Sequence, residues 1–137
     1  MAGASLISIV DDDASLGFLL ASLIRSVGFQ ALSFVSAEAF LSSTQARDSR
    51  CLIADVRMPG MNGLDTITRI RSESVVPIIA MSGFRLRNSL DADKDFLGMA
   101  KLRGATTLLR KPFSPPQLVA AIDRGLGLLP SAGESIQ

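Results

Sequence analysis

The chain has 137 residues, 47% of them apolar and 20% charged, which suits one globular domain with a substantial core and leaves no room for a second. Its 14 basic and 13 acidic residues leave a net charge of +1, so it carries neither a polybasic nucleic-acid footprint nor an acidic tail. His, Trp and Tyr are absent, which removes histidine acid–base chemistry and histidine-rich zinc sites.

In chain order, Leu6-Ile7-Ser8-Ile9-Val10 is a short β-rich run that stops at Asp11-Asp12-Asp13, as buried parallel strands do. Leu16, Leu19, Leu20, Leu23 and Val27 then recur at helical spacing, with Gly28 as the C-terminal cap and Asp13 as an N-cap candidate. Gln30 to Phe34 reads as a second strand. Ser36 caps a helix carrying Ala37, Phe40 and Leu41, with Glu38 in its first turn, and Thr44 to Arg50 is a polar loop. Cys51 to Ala54 is a third strand, ending at Asp55, before the turn-rich Pro59-Gly60-Met61-Asn62-Gly63. Leu64, Ile67 and Ile70 line a third helix. Val75 to Ala80 is a fourth strand with Pro77 near its start, followed by Ser82-Gly83. The stretch from Phe84 to Arg103 is less legible, with helix expected around Leu97, Ala100 and Lys101. Thr106 to Leu109 is a fifth strand ending at Arg110-Lys111-Pro112; Ser114 and Pro115 open a last helix with Leu118, Ile122 and Leu126 inward. Residues 130–137 read as a polar, frayed tail beyond a domain of residues 1–129.

Five strand–helix repeats predict a parallel sheet with right-handed crossovers and helices on both faces. Ligands in such sheets sit outside the carboxyl ends of the strands. Those ends carry Asp11 and Asp12, Asp55, Ser82 and Lys111. Converging carboxylates repel unless a cation sits among them. An oxygen-only donor set suits Mg²⁺, which takes one or two carboxylates and keeps several waters. Lys111 then pairs with a phosphate as a point charge, and the Ser82 hydroxyl donates to it. Lone Cys51 forms no internal disulfide, which points to a reducing compartment. No apolar run reaches the length of a membrane span, and Met1 to Ser5 has no charged leader region, so a cytoplasmic domain without membrane contact is expected.

Four blocks together, Ile9-Val10-Asp11-Asp12, Ala54 to Gly63, Met81-Ser82-Gly83 and Lys111-Pro112-Phe113, resemble the receiver domains of two-component response regulators over about Ser5 to Leu129. The resemblance implies a flavodoxin-like (βα)₅ three-layer sandwich with a five-stranded parallel sheet in the order 2-1-3-4-5. It implies that Asp55 is the phosphoacceptor, taking phosphate from the phosphohistidine of a sensor histidine kinase or a histidine phosphotransfer protein. Asp12 would bind Mg²⁺ directly and Asp11 through water, with Asp55 also at the metal and the backbone carbonyl of Arg57 completing the protein ligands. Ser82 and Lys111 would hold the phosphoryl oxygens, so Asp55 and Lys111 carry the chemistry. The domain would catalyse only its own phosphorylation and dephosphorylation, switch a surface read by an unidentified downstream protein, and form a phosphorylation-linked homodimer. By itself it would bind no nucleic acid. A cis Lys111–Pro112 peptide is also implied.

Three features depart from that family. Position 108, usually an aromatic switch residue, is Leu108, which offers no ring-edge or hydroxyl contact. The stretch from Ser82 to Lys111 is longer than usual, which implies an extended loop before the fourth helix or a shifted helix. Arg57 is a variable position beside the phosphate, with a bearing on dephosphorylation. The competing readings are a pseudo-receiver that binds protein independently of phosphorylation, a haloacid-dehalogenase-type phosphohydrolase and a flavin carrier. The second wants an aspartate where Arg57 stands; the third wants ring-stacking Trp or Tyr.

Overall fold

Strands whose residues alternate between two apolar faces need helices on both sides, and this chain supplies them. The computed structural model describes residues 4–57, 61–82, 101 and 103–128. Strands β1 (Leu6–Val10), β2 (Gln30–Phe34), β3 (Cys51–Arg57), β4 (Ile78–Ser82) and β5 (Thr107–Arg110) form one sheet in the order β2-β1-β3-β4-β5, with every pairing parallel. This is the flavodoxin-like order expected above. The helices are α1 (Ala14–Ser26), α2 (Ala37–Ser42), α3 (Met61–Arg71) and, last among the described residues, α4 (Pro115–Gly125). None of the described helices is long and apolar enough to cross a membrane.

Alternation along each strand divides the core in two. Leu52, Ala54, Val56, Ile78 and Ala80 pack with Phe40 of α2 and Leu64, Ile67 and Ile70 of α3. Ile7, Ile9, Ile53, Ile79, Met81 and Leu109 pack on the other side with Leu20 and Ile24 of α1 and Leu118 and Ile122 of α4. Each such aliphatic side chain contributes about 1.5–3 kcal/mol on full burial, so the two layers hold the sheet from both faces.

Local signals set the helix ends. Asp13 accepts from the Ser15 and Leu16 amides at 3.0 and 3.2 Å and caps α1. Gly28, at φ +106°, lets the chain leave α1 in the left-handed region. Ser114 and Gln117 form a reciprocal capping box on α4, with Pro115 at its first position.

Several elements differ from the sequence reading. The buried face of α1 is Gly17, Leu20, Ala21 and Ile24, whereas Leu16 and Leu19 lie outward at 44% and 62% exposure. Gly17 faces β2 closely: a Cβ there would meet the Ser33 Cβ at 3.5 Å, an ordinary van der Waals contact. Strand β3 runs two residues past Asp55, and β4 starts only at Ile78. Pro77 lacks an N–H for the ladder but gives its carbonyl to the Leu52 amide at 2.9 Å. Within Thr44 to Arg50, Gln45–Asp48 winds into a 3₁₀ turn that buries Ala46, whose amide donates to the Ser43 hydroxyl at 3.2 Å. The expectations for residues 84–103 and for the 130–137 tail lie outside the described residues, apart from Lys101, which is helical, and Arg103.

Candidate functional site

Two-residue alternation delivers three charged side chains to one place. Ile9, Ile53 and Leu109 face α1 and α4. Residues two further along, Asp11, Asp55 and Lys111, therefore point to the same side at the carboxyl ends of β1, β3 and β5. Asp11 is 2% exposed. The Asp55 side chain is also 2% exposed, though the residue as a whole is half-buried through its backbone. Lys111 Nζ lies 3.7 Å from Asp55 Oδ2, with a quarter of its side chain (25%) in solvent. Such spacing is an ion pair rather than a tight hydrogen bond. The Lys111–Pro112 peptide is cis.

Asp11 is the electrostatically costly member. Burial pushes its carboxyl above the usual range, and contact with the Asp55 carboxylate pushes it further; the Asp13 amide and Lys111 pull back. That amide donates to Asp11 Oδ1 at 2.9 Å, which fixes the carboxylate's orientation. Asp12, between them at the end of β1, is exposed. Thus Asp11, Asp55 and Lys111 come together inside the edge while Asp12 stands at its mouth.

Sequence reasoning missed the backbone irregularity beside Asp55. Asp55 pairs with Met81 but Arg57 with Ser82, so Val56 is an extra residue in β3. Such a bulge re-aims the strand next to a site. It places the backbone of Arg57 opposite Ser82, which in turn pairs with Arg110, immediately before Lys111. Leu108 belongs to the other face, half-buried against the α2–α3 layer. Met58, Pro59 and Gly60 lie outside the described residues.

No group of three or more acidic, Cys or His side chains able to hold a metal occurs among the described residues. A carboxylate-only cage is not what Mg²⁺ requires, because it binds through one or two carboxylates and keeps its waters. Two buried carboxylates in contact, offset by one lysine, carry excess negative charge in a low-dielectric place, which a small hard cation relieves. The donor set therefore fits Mg²⁺.

Comparison with known proteins decides the family. The response regulator receiver domain model matches residues 7–123. The chain belongs to that family. It is 38% identical over 128 residues to the response regulator protein TodT of Pseudomonas putida, covering 93% of this chain and 53% of TodT. With the transcriptional regulatory protein FixJ of Bradyrhizobium diazoefficiens it shares 32% identity over 130 residues, 94% of this chain and 60% of FixJ. A response regulator receiver protein from Burkholderia phymatum, solved as a crystal structure, is 32% identical with a TM-score of 0.67, covering 91% of this chain and 97% of that one. The chain thus spans little more than half the length of the curated relatives named here. Receiver domains of this family interact with histidine kinases and generally use Mg²⁺ for phosphorylation.

Proposed function

We propose that this receiver domain accepts a phosphoryl group on Asp55 from the phosphohistidine of a sensor histidine kinase or a histidine phosphotransfer protein. The observation that carries the reading is the Asp55 carboxylate, buried against Asp11 with Lys111 at 3.7 Å. In the transfer the bond from phosphorus to the histidine nitrogen breaks, and a bond from phosphorus to an Asp55 carboxylate oxygen forms. Asp11, Asp12, Asp55 and the Arg57 carbonyl would hold Mg²⁺, which when bound neutralises charge on the phosphoryl oxygens. Lys111 supplies a fixed positive charge to one phosphoryl oxygen, and Ser82 donates a hydrogen bond to another. Asp13, engaged as the α1 cap, takes no part.

The domain acts on its own aspartate rather than turning over a separate substrate, and it works in the cytoplasm. Its output is a protein-interaction surface, including a phosphorylation-linked homodimer, with no DNA contact of its own. A pseudo-receiver, binding protein without phosphorylation, is the second reading; Leu108, in place of a switch aromatic, favours it. The buried carboxylate pair weighs against it, since a binding module has no use for that repulsion. The two separate by mass spectrometry after treatment with acetyl phosphate and Mg²⁺. One phosphoryl group is expected on the wild type and none on Asp55→Asn or in excess chelator. Labelling that persists in Asp55→Asn rejects the acceptor assignment, and no labelling of the wild type favours the pseudo-receiver.

A further inference from the structure

Among the described residues, the guanidinium of Arg71, the last residue of α3, donates to three backbone carbonyls. Nη1 donates to the Ser74 and Val76 carbonyls at 3.0 and 2.7 Å, and Nη2 to the Gly104 carbonyl at 2.8 Å. Gly104 is fitted to it: its φ is +119°, and a Cβ there would lie 2.9 Å from Arg71 Nε. Beside it, Arg103 Nη1 donates to Thr68 Oγ1 at 3.2 Å and sits 3.8 Å from Asp65 Oδ1. Asp65, Thr68 and Arg71 recur every three residues, so one stripe of α3 grips the two residues that lead toward β5.

That grip matters because β5 is an edge strand. It is four residues long and, among the described residues, pairs only with β4. Its position along the sheet is therefore set by one ladder, by packing, and by whatever holds its start. Its far end delivers Lys111 to Asp55. From these contacts we propose that Arg71 is a positioning residue for Lys111: by pinning Gly104 to the end of α3, it fixes how far β5 carries the lysine along the carboxyl edge. This rests on the phosphoryl-acceptor reading above. Arg71 touches no reacting atom, and its planar fork, matched to carbonyls from two chain segments, is not reproduced by an ammonium.

The test is the affinity of the full chain for the phosphoryl mimic beryllofluoride in saturating Mg²⁺, followed by ¹⁹F NMR, with Mg²⁺ affinity measured separately by calorimetry. Arg71→Met should weaken beryllofluoride binding about tenfold, the size of a moderate pairwise coupling, and leave Mg²⁺ affinity unchanged. In a Lys111→Ala background the same substitution should cost nothing further, since its effect runs through the lysine. An undiminished affinity in folded Arg71→Met overturns the proposal. So does an equal tenfold loss in the Lys111→Ala background, or a parallel loss of Mg²⁺ binding, either of which marks a general structural role. If Lys111→Ala itself leaves beryllofluoride affinity unchanged, the phosphoryl role of Lys111 fails first and this proposal falls with it. Should Arg71→Met melt below the assay temperature, Arg71→Lys carries the test, with a smaller loss in the same pattern.

Discussion

The two ends of the sheet bury charge in opposite ways. At the amino end, Arg71 has lost part of its hydration, which lowers its affinity for the proton, but three carbonyls replace the water. At the carboxyl end Asp11 is pressed against a second carboxylate, and the Asp13 amide and Lys111 only partly offset the cost. Burial alone does not distinguish structure from function, since both groups are desolvated. What distinguishes them is the sign of the neighbours: one charge is met by backbone carbonyls, and the other faces a like charge. The amino end has an exception in Thr107 Oγ1, buried without a hydrogen-bond partner among the described residues.

The contrast can be broken hardest at Gly104. Gly104→Ala puts a Cβ at φ +119° and 2.9 Å from Arg71 Nε. It should cost about 2–3 kcal/mol in denaturant melts, from backbone strain and a displaced guanidinium together. A neutral effect would mean that the seam yields and that the amino end is not the rigid one. At the other end the sign should reverse. Asp11→Asn keeps an oxygen to accept from the Asp13 amide yet removes a buried charge. In excess chelator at neutral pH it should stabilise the domain by roughly 1–2 kcal/mol, and Mg²⁺ should then raise the wild-type melting temperature more than the mutant's. A mutant less stable than the wild type in chelator would refute the claim that the edge is strained by its own charge.

The effect that is smallest at neutral pH sharpens the amino end and grows only as pH rises. Cys51, at the start of β3, is buried beneath α4, where a Cβ on Gly125 would come 2.6 Å from its Sγ. Burial pushes the thiol from 9.0 up to about 12. Its folded pKa is raised, so its contribution is fully present below pH 9 and is lost as pH rises through 9 to 12, when the unfolded thiol ionises first. The loss should be at most about 1.4 kcal/mol per pH unit. Referencing each melt to Cys51→Ala isolates this from the lysines that titrate nearby. A difference that stays flat from pH 8 to 10.5 would show that the thiol is less enclosed than its packing indicates.

Much of this is legible in the sequence. Asp11, Asp55 and Lys111 each follow an apolar run of strand composition, and their convergence follows from parallel strands that all end on one edge. The caps at Asp13, Ser36 and Ser114 were legible for the same reason, because a cap is a contact across two or three residues. Reading α1 from leucine spacing failed at Leu16 and Leu19: its inward face runs through Gly17, Leu20, Ala21 and Ile24, and which face turns inward is decided by where the sheet lies. The extra residue at Val56 was likewise invisible, since a bulge belongs to a pair of strands rather than to one.

Sequence by itself therefore determined the order of elements, the parallel sheet and the identity of the charged residues at its edge, because these depend on local periodicity and on where apolar runs stop. Tertiary structure alone decided that Asp11 is sealed in while Asp12 faces water, and that Arg71 reaches across 33 residues to the Gly104 carbonyl. Such features are set by which surfaces meet, and an arginine at a helix end looks the same in sequence whether it finds solvent or three carbonyls.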